Sequence, residues 1–199
     1  MEQKHFWNDK FGKVDYLYGL DPNAFIKSKL ELMKNKKEVL CLGEGEGRNA
    51  IFLAKEGFEV TAIDASDIGL DKLKYRANDE CLNVHCINMD LNNWNDEKKY
   101  DVIIATYLHM FEEDRNSLFN KIENNLNKGG YFIAEFFSKE QLNYKSGGPK
   151  ALDLLYDLSD FENVFTSCKK DITKEIVHLD EGIGHQGEAS VIRVVVNKQ

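Results

Sequence analysis

The 199-residue chain is long enough to form one domain with a large buried core, and its 42% hydrophobic and 11% aromatic content is that of an ordinary globular protein. With 34 acidic against 26 basic residues its formal net charge is -8, which repels nucleic-acid backbones and anionic membrane surfaces and favours a small-molecule partner. The four cysteines lack the spacing of a zinc site or a disulfide framework, and no stretch has the length of a signal peptide or a membrane span, so we expect a cytoplasmic protein with free thiols. We also expect residues 1–199 to form a single domain that works as a monomer or weak homodimer.

Short apolar runs alternate with longer helical periodicities, a pattern typical of a parallel sheet with crossover helices. The segment before residue 23 is rich in aromatic residues, and no helix or strand is predicted there. The predicted strands are 38–42, 58–63, 83–88, 100–106 and 131–137. The predicted helices are 23–33, a segment from Arg48 to Gly57, a segment with Leu70, Leu73 and Ala77 on one face, and a segment from Asp114 with Leu118, Ile122 and Leu126 on one stripe, closed by Gly129–Gly130. From Phe161 two β-like runs predict a hairpin on the sheet edge, with its turn near 181–184.

A glycine-rich turn, 43–47, follows the first predicted strand and opens a helix. Glycines there let the backbone turn sharply and let a ligand lie against bare main chain. A dinucleotide motif of the form G-x-G-x-x-G starting at Gly43 needs a sixth-position glycine, where this chain has Arg48, and the lysine of a P-loop is absent. The observed spacing suits S-adenosylmethionine, which has no phosphate to bind. A tight turn between strand and helix, with no ligand, is the alternative.

Two aspartates follow the second and third predicted strands. Asp64 ends the second strand and can accept hydrogen bonds from both hydroxyls of an adenosine ribose; the alternative is a helix N-terminal residue beside Ser66. Asp90 follows the third strand and can accept from the adenine amine, with a solvated loop aspartate as the alternative. Because ligands bind at the carboxyl ends of the strands in open α/β sheets, the two aspartates and the glycine turn predict one site.

The chain resembles the class I S-adenosylmethionine-dependent methyltransferases, in particular the small bacterial group related to tellurite-resistance methyltransferases. The resemblance runs from about Trp7 to the C-terminus. It is most specific over 43–49, 60–66, 118–130 and 142–150. It implies a doubly wound, Rossmann-like α/β sheet of seven strands, mostly parallel with an antiparallel C-terminal strand. It also implies that Gly43, Gly45 and Gly47 contact the methionine end of the cofactor, Asp64 the ribose, and Asp90 with Leu91 the adenine.

Two residues depart from the first motif of this family, which usually reads V-L-D-L-G-C-G. Cys41 stands in place of the aspartate, and Glu44 stands in place of the cysteine. We hypothesise that the Glu44 carboxylate accepts from the ammonium of the cofactor, a role that an acidic residue at position 41 would otherwise support. An exposed loop glutamate is the alternative.

The methyl acceptor is expected beyond the fourth strand, where Tyr107 and His109 should face the transferring methyl group. His109 is the best candidate for acceptor contact or for a general base, with a histidine bonded inside a loop as the alternative. His185 lies near the hairpin turn, which should overhang the same crevice as a polar lid. A metal site built from His178, Asp180 and His185 matches no established spacing and is the weaker interpretation.

The N-terminal aromatics Trp7, Tyr16 and Tyr18 can cover the cofactor and attract its sulfonium by cation–π interaction, whereas packing onto the sheet edge is the alternative for Trp7. We keep Tyr16 as the lid residue. The predicted cofactor set is Gly43, Glu44, Gly45, Gly47, Asn49, Asp64, Ala65, Ser66, Asp90, Leu91, Thr106 and Tyr16. The predicted catalytic set is His109, Tyr107 and His185, and no metal is predicted.

These inferences predict an enzyme that transfers a methyl group from S-adenosylmethionine to a small molecule, and the family likeness alone favours a thiol or a metalloid oxyanion. One alternative is a protein that binds the cofactor without catalysis. Another is an oxidoreductase that uses a nicotinamide dinucleotide, which Arg48 disfavours. A nucleic-acid methyltransferase is disfavoured by the net charge and by 106–109, which read Thr-Tyr-Leu-His where such enzymes have a tetrapeptide like Asn-Pro-Pro-Tyr.

Overall fold

A computed structural model describes residues 2–199. Seven strands form one sheet: β1 Glu38–Leu42, β2 Glu59–Asp64, β3 Val84–Asn88, β4 Tyr100–Thr106, β5 Leu126–Phe137, β6 Cys168–Glu181 and β7 His185–Lys198. Five α-helices surround it: α1 Glu2–Phe11, α2 Ala24–Ser28, α3 Arg48–Lys55, α4 Asp67–Asp79 and α5 Glu112–Asn125. Short 3₁₀ helices span Leu30–Met33, Leu91–Asn93, Lys139–Asn143, Leu152–Leu154 and Leu158–Phe161.

The strand order is β3-β2-β1-β4-β5-β7-β6, so the chain moves outward from β1 in one direction and then, from β4, in the other. The pairs among β1 to β5 are parallel, and β7 runs antiparallel to both of its neighbours, β5 and β6. The doubly wound seven-stranded fold predicted from the sequence is therefore confirmed. The reversal between β1 and β4 creates the crevice in which open α/β sheets bind ligands.

Alternate residues of the central strands feed two cores on opposite faces of the sheet. Val39 and Cys41 of β1 pack with α2, α3 and α4, whereas Leu40 and Leu42 face the other side, toward α5 and the segment 156–165. Strands buried on both faces read as continuous apolar runs, which explains why β1 and β4 were recognisable from sequence. Cys41, Cys81, Cys86 and Cys168 are free thiols, as expected.

Two predicted helices differ from the structure. Residues 23–33 form the short α2, which the Asn23 side chain caps by accepting from Ile26 N at 3.0 Å, and a separate 3₁₀ turn. The helix ends at Ser28 because Lys29 leaves the helical conformation, with φ -97° and ψ 6°, and the Ser28 hydroxyl donates to Phe25 O at 2.7 Å. The prediction that Leu126 extends the α5 stripe to Gly129–Gly130 was wrong. Leu126 is buried and pairs with Tyr100, so the chain passes directly from helix into β5.

Strands β1 to β4 and the start of α5 lie within two residues of the predicted bounds, whereas β5 begins at Leu126, five residues before the predicted 131. The terminal hairpin is confirmed, with its turn at 182–184, although its first strand begins at Cys168 rather than near Phe161. Helix α1 was not predicted; it packs against α4. Within residues 2–199, no helix combines the length and the apolar character that crossing a membrane requires.

Candidate functional site

A cleft opens at the carboxyl ends of β1 to β4, where the strand order reverses. The predicted cofactor residues that line it are Gly43, Glu44, Gly45, Gly47, Asp64, Ala65, Asp90, Leu91 and Thr106. All three predicted catalytic residues, Tyr107, His109 and His185, line it as well. The tertiary structure thus brings together residues from the ends of four strands, from helix α1, which covers the cleft, and from the terminal hairpin.

The glycine turn has a left-handed backbone at its three glycines, with φ of +61° at Gly43, +60° at Gly45 and +89° at Gly47. A side chain at Gly43 would place its Cβ 2.6 Å from a methyl carbon of Leu108, and one at Gly45 would lie 2.8 Å from the ring of Phe11. The turn therefore requires glycine both for its conformation and for the close approach of the groups above it.

Asp64 is buried at the end of β2, and both of its oxygens accept backbone N–H groups, from Gly45 at 2.8 Å and from Ser66 at 2.7 Å. Burial raises the pKa of its carboxyl to about 6, although the two N–H donors act in the opposite direction. A carboxylate has further lone pairs, so Asp64 can hold the turn and still accept from a ligand hydroxyl. Asp90 accepts from Asn92 N at 3.0 Å and caps the 3₁₀ turn that follows β3.

Glu44 lines the cleft, but its carboxylate also serves the helix behind it. Its Oε1 accepts from Ala50 N at 2.7 Å and so satisfies one of the free N–H groups in the first turn of α3. The N-cap residue, Gly47, has no side chain that could accept this hydrogen bond. Burial raises the pKa of Glu44 to about 7. The contact with a cofactor ammonium stays a prediction, and helix capping is a role that the sequence analysis had not assigned to Glu44.

Three predicted cofactor residues lie away from the cleft. The buried Asn49 accepts from Asn23 N at 2.9 Å and donates to Thr106 Oγ1 at 3.1 Å, so it supports the wall of the cleft from behind. Ser66 is buried and caps α4 by accepting from Gly69 N. The ring of Tyr16 lies outside, 5.6 Å from Lys72 Nζ, and Tyr18 lines the cleft instead.

Tyr107 follows β4 with a left-handed backbone, φ +50°, which is uncommon for a bulky residue and costs on the order of 1–3 kcal/mol. Its amide donates to Glu135 O at 2.7 Å, and its hydroxyl donates to Glu135 Oε1 at 2.6 Å. The ring stacks on Phe137 with centroids 4.5 Å apart. These contacts compensate the strain and hold the ring at the edge of the cleft.

His109 lies beneath α1, where its ring centroid is 4.9 Å from that of Trp7 and its carbonyl accepts from Gln3 Nε2 at 3.3 Å. Burial lowers the pKa of His109 to about 4, so the imidazole is neutral at neutral pH. His185 is buried between Tyr18, 4.3 Å away, and Tyr107, 4.5 Å away, and burial lowers its pKa also. Both rings line the cleft among aromatic side chains, and only for His109 does the pKa of about 4 fix a neutral form.

His178 and Asp180 are exposed on β6 while His185 faces inward, so these three residues do not converge. Across residues 2–199, no three His, Cys, Asp or Glu side chains are arranged to hold a metal ion.

Arg48 and Glu181 are the main residues of the cleft region that the sequence analysis missed. Arg48 Nη2 lies 2.9 Å from Glu181 Oε2, and both side chains are more than 90% buried. Burial opposes ionisation of Glu181, but His185 and Arg48 outweigh it and hold the pKa of this carboxyl below its ordinary value. Arg48 directly follows the glycine turn, which is a signal the sequence offered, whereas nothing in the sequence indicates a partner 133 positions later.

Solved structures share this fold. One, described as the conversion of a disulfide bond into a thioacetal group during echinomycin biosynthesis, has a TM-score of 0.80 and 13% identity, covering 100% of this chain and 92% of that one. Magnesium protoporphyrin IX methyltransferase from Synechocystis with bound SAH has a TM-score of 0.70 and 13% identity, covering 98% and 97%. TehB from Haemophilus influenzae has a TM-score of 0.73 and 18% identity, covering 99% and 67%. The fold is therefore that of the Rossmann-like methyltransferases.

The chain belongs to the TehB family, because the family model described as tellurite resistance protein TehB matches residues 4–143. The resemblance predicted from the sequence is thus confirmed. A probable S-adenosyl-L-methionine-dependent methyltransferase TehB from Haemophilus influenzae strain 10810 is 33% identical over 96 residues, 47% of this chain and 34% of that protein. A ubiquinone biosynthesis O-methyltransferase from Rickettsia bellii is 30% identical over 106 residues, 51% of this chain and 44% of that protein. The matched segments span less than half the length of these curated relatives.

Proposed function

We propose that the protein is an S-adenosylmethionine-dependent methyltransferase that acts on a small-molecule acceptor. The observation that carries this proposal is the convergence of the glycine turn, Asp64 and Asp90 at the switch point of the sheet. Membership of the TehB family supports it, as do relatives that are named as methyltransferases. Strands from 38 to 198 share one sheet, which supports the expectation of a single domain.

The residues of the cleft fit this cofactor. The bare backbone of Gly43, Gly45 and Gly47 would lie against its methionine end. Asp64 has lone pairs left for ribose hydroxyls after serving two N–H groups, and Asp90 stands at the next strand for the adenine amine. The cofactor would supply an electrophilic methyl group on a sulfonium, and the protein would supply alignment and exclusion of water.

The uncharged His109 ring in the cleft bears on the chemical class of the methyl acceptor. A general base works best when its pKa lies near the working pH, and the pKa of about 4 makes His109 a weak base. His109 and Tyr107 are therefore better suited to contacting the acceptor than to deprotonating it. This favours an acceptor that presents a lone pair without help, which supports a thiolate or a metalloid oxyanion as the acceptor class.

Isothermal titration with S-adenosylmethionine, S-adenosylhomocysteine and NADH tests the cofactor assignment without knowledge of the acceptor. We expect binding of the first two and none of NADH. At about pH 8, where the carboxyl is ionised, Asp64→Asn should weaken S-adenosylhomocysteine binding at least ~10-fold. The control is Asp71→Asn, an exposed aspartate on α4. Binding of NADH alone would overturn the assignment.

A turnover assay separates an enzyme from a protein that only binds the cofactor. Thiols, selenite and tellurite would be supplied in turn, and formation of S-adenosylhomocysteine would be measured. Turnover with any of them supports the proposed acceptor class. Cofactor binding with no turnover on any of them counts against it.

A further inference from the structure

Arg48 carries a buried donor that no residue from 2 to 199 satisfies. The side chain is only 8% exposed; its Nη2 pairs with Glu181, while Nη1 has no hydrogen-bond partner. Leaving a charged donor buried and unpaired costs free energy, so such groups in native proteins call for an explanation. Arg48 follows Gly47 directly and is one of the residues that line the cleft, so a molecule held there can supply the missing acceptor.

The other carboxylates of this region already have donors. Glu46 accepts from Lys72 Nζ at 2.6 Å and from Leu17 N at 2.7 Å. Glu44 and Asp64 accept from backbone N–H groups, as described above. Because Glu181 serves Nη2, the protein leaves the second guanidinium nitrogen to an acceptor from outside the chain.

A guanidinium only donates hydrogen bonds, and its planar fork matches two oxygens that carry a shared negative charge. We propose that Arg48 Nη1 binds a carboxylate, or an oxyanion of similar shape, on a molecule held in the cleft. The inference rests on the proposed function for the identity of that molecule. The charge comes either from the carboxylate at the amino-acid end of the cofactor or from an anionic group on the methyl acceptor.

The test compares ligands that differ only in this group. Wild type and Arg48→Gln would be titrated with S-adenosylhomocysteine, with its decarboxylated analogue and with 5′-methylthioadenosine, which lacks the amino-acid end. If Arg48 binds the cofactor carboxylate, the substitution should weaken S-adenosylhomocysteine roughly 10- to 100-fold and change the other two by less than about twofold. Arg76→Gln is the control, since Arg76 is paired with Glu80 on α4 outside the cleft.

Formate, the simplest carboxylate, shows whether the cofactor or the methyl acceptor carries the anionic group that Arg48 binds. Its binding to wild type and to Arg48→Gln would be followed by NMR, first on the free protein and then with S-adenosylhomocysteine bound. Formate that binds through Arg48 and is displaced by S-adenosylhomocysteine assigns the site to the cofactor carboxylate. Formate that still binds through Arg48 in that complex assigns the site to the acceptor.

The inference is overturned if Arg48→Gln changes neither formate binding nor the ratio of the affinities for S-adenosylhomocysteine and its decarboxylated analogue. Unchanged binding of 5′-methylthioadenosine shows that the variant is folded. If the variant does not fold, the NMR spectrum of wild type labelled with ¹⁵N-arginine tests the inference instead. The chain has only four arginines, and the Arg48 signals should shift when formate binds. Should wild type bind none of the adenosine ligands, the proposed function fails, while formate binding by the free protein still tests Arg48.

Discussion

Replacing Arg115 with methionine should destabilise the protein by about 3 to 5 kcal/mol, because it breaks a buried ion pair and leaves a carboxylate without its cation. The Arg115 side chain is 2% exposed and lies 2.6 Å from Asp160 Oδ2. It also donates to Met110 O at 3.2 Å and to Asp153 O at 2.7 Å, and its guanidinium stacks 3.9 Å from the Tyr156 ring. One side chain thus ties the loop after β4 to two segments that follow β5.

Urea denaturation measures this loss as a change in the free energy of unfolding at constant slope. For a chain of this size it corresponds to a fall in melting temperature of roughly 6 to 20 °C. Lys74→Met is the control: its ion pair with Asp71 is exposed on α4, where such pairs contribute less than about 1 kcal/mol. A loss below about 1 kcal/mol in Arg115→Met would refute the view that this guanidinium holds the loop.

Two further predictions concern the glycine turn and its neighbour Glu44. The folded protein keeps the proton of Glu44 up to about pH 7, above the ordinary pKa of 4.5, so this contribution to stability is complete below about pH 4.5 and is lost as the pH rises through 7. Glu44→Gln cannot ionise and should reduce the fall in unfolding free energy between about pH 5 and about pH 8 by up to ~3 kcal/mol; an unchanged pH profile would contradict the raised pKa. Gly47→Ala should cost at least ~2 kcal/mol more than Gly57→Ala, since both have φ near +90° but only the first would bring Cβ within 2.2 Å of Leu73. Equal losses in urea denaturation would show that contact with Leu73 is unimportant.

Helix α1, which covers the cleft, is an element that the sequence pattern did not predict. Helix α1 is mostly polar, and its Trp7 and Phe11 face the cleft and the glycine turn rather than a sheet. It is held by polar contacts such as Asn8 with Asp67 and with Ser66, at 2.6 Å each. A helix stabilised this way has no continuous apolar stripe, so periodicity gave no reason to predict it.

Side-chain direction explains the differences among the predicted site residues. Tyr16 and Tyr18 are equivalent as aromatic residues before a glycine, yet only Tyr18 lines the cleft and packs on His185. Asn49 was assigned to the cofactor, but it supports the Thr106 wall from behind. Loop and helix-start residues can point either way, and the choice depends on partners that are distant in the chain.

The resemblance to the methyltransferase family supplied the doubly wound order of the sheet. The sequence by itself determined the alternation of strands and helices and the position of the glycine turn, because buried parallel strands are continuous apolar runs and the turn needs residues without a Cβ. These are local properties that a short segment expresses without the rest of the chain. Only the tertiary structure decided that Glu181 pairs with Arg48, that Tyr107 reaches Glu135 and that burial keeps His109 neutral. Pairing and desolvation depend on which distant segments fold against one another, and no local pattern records that.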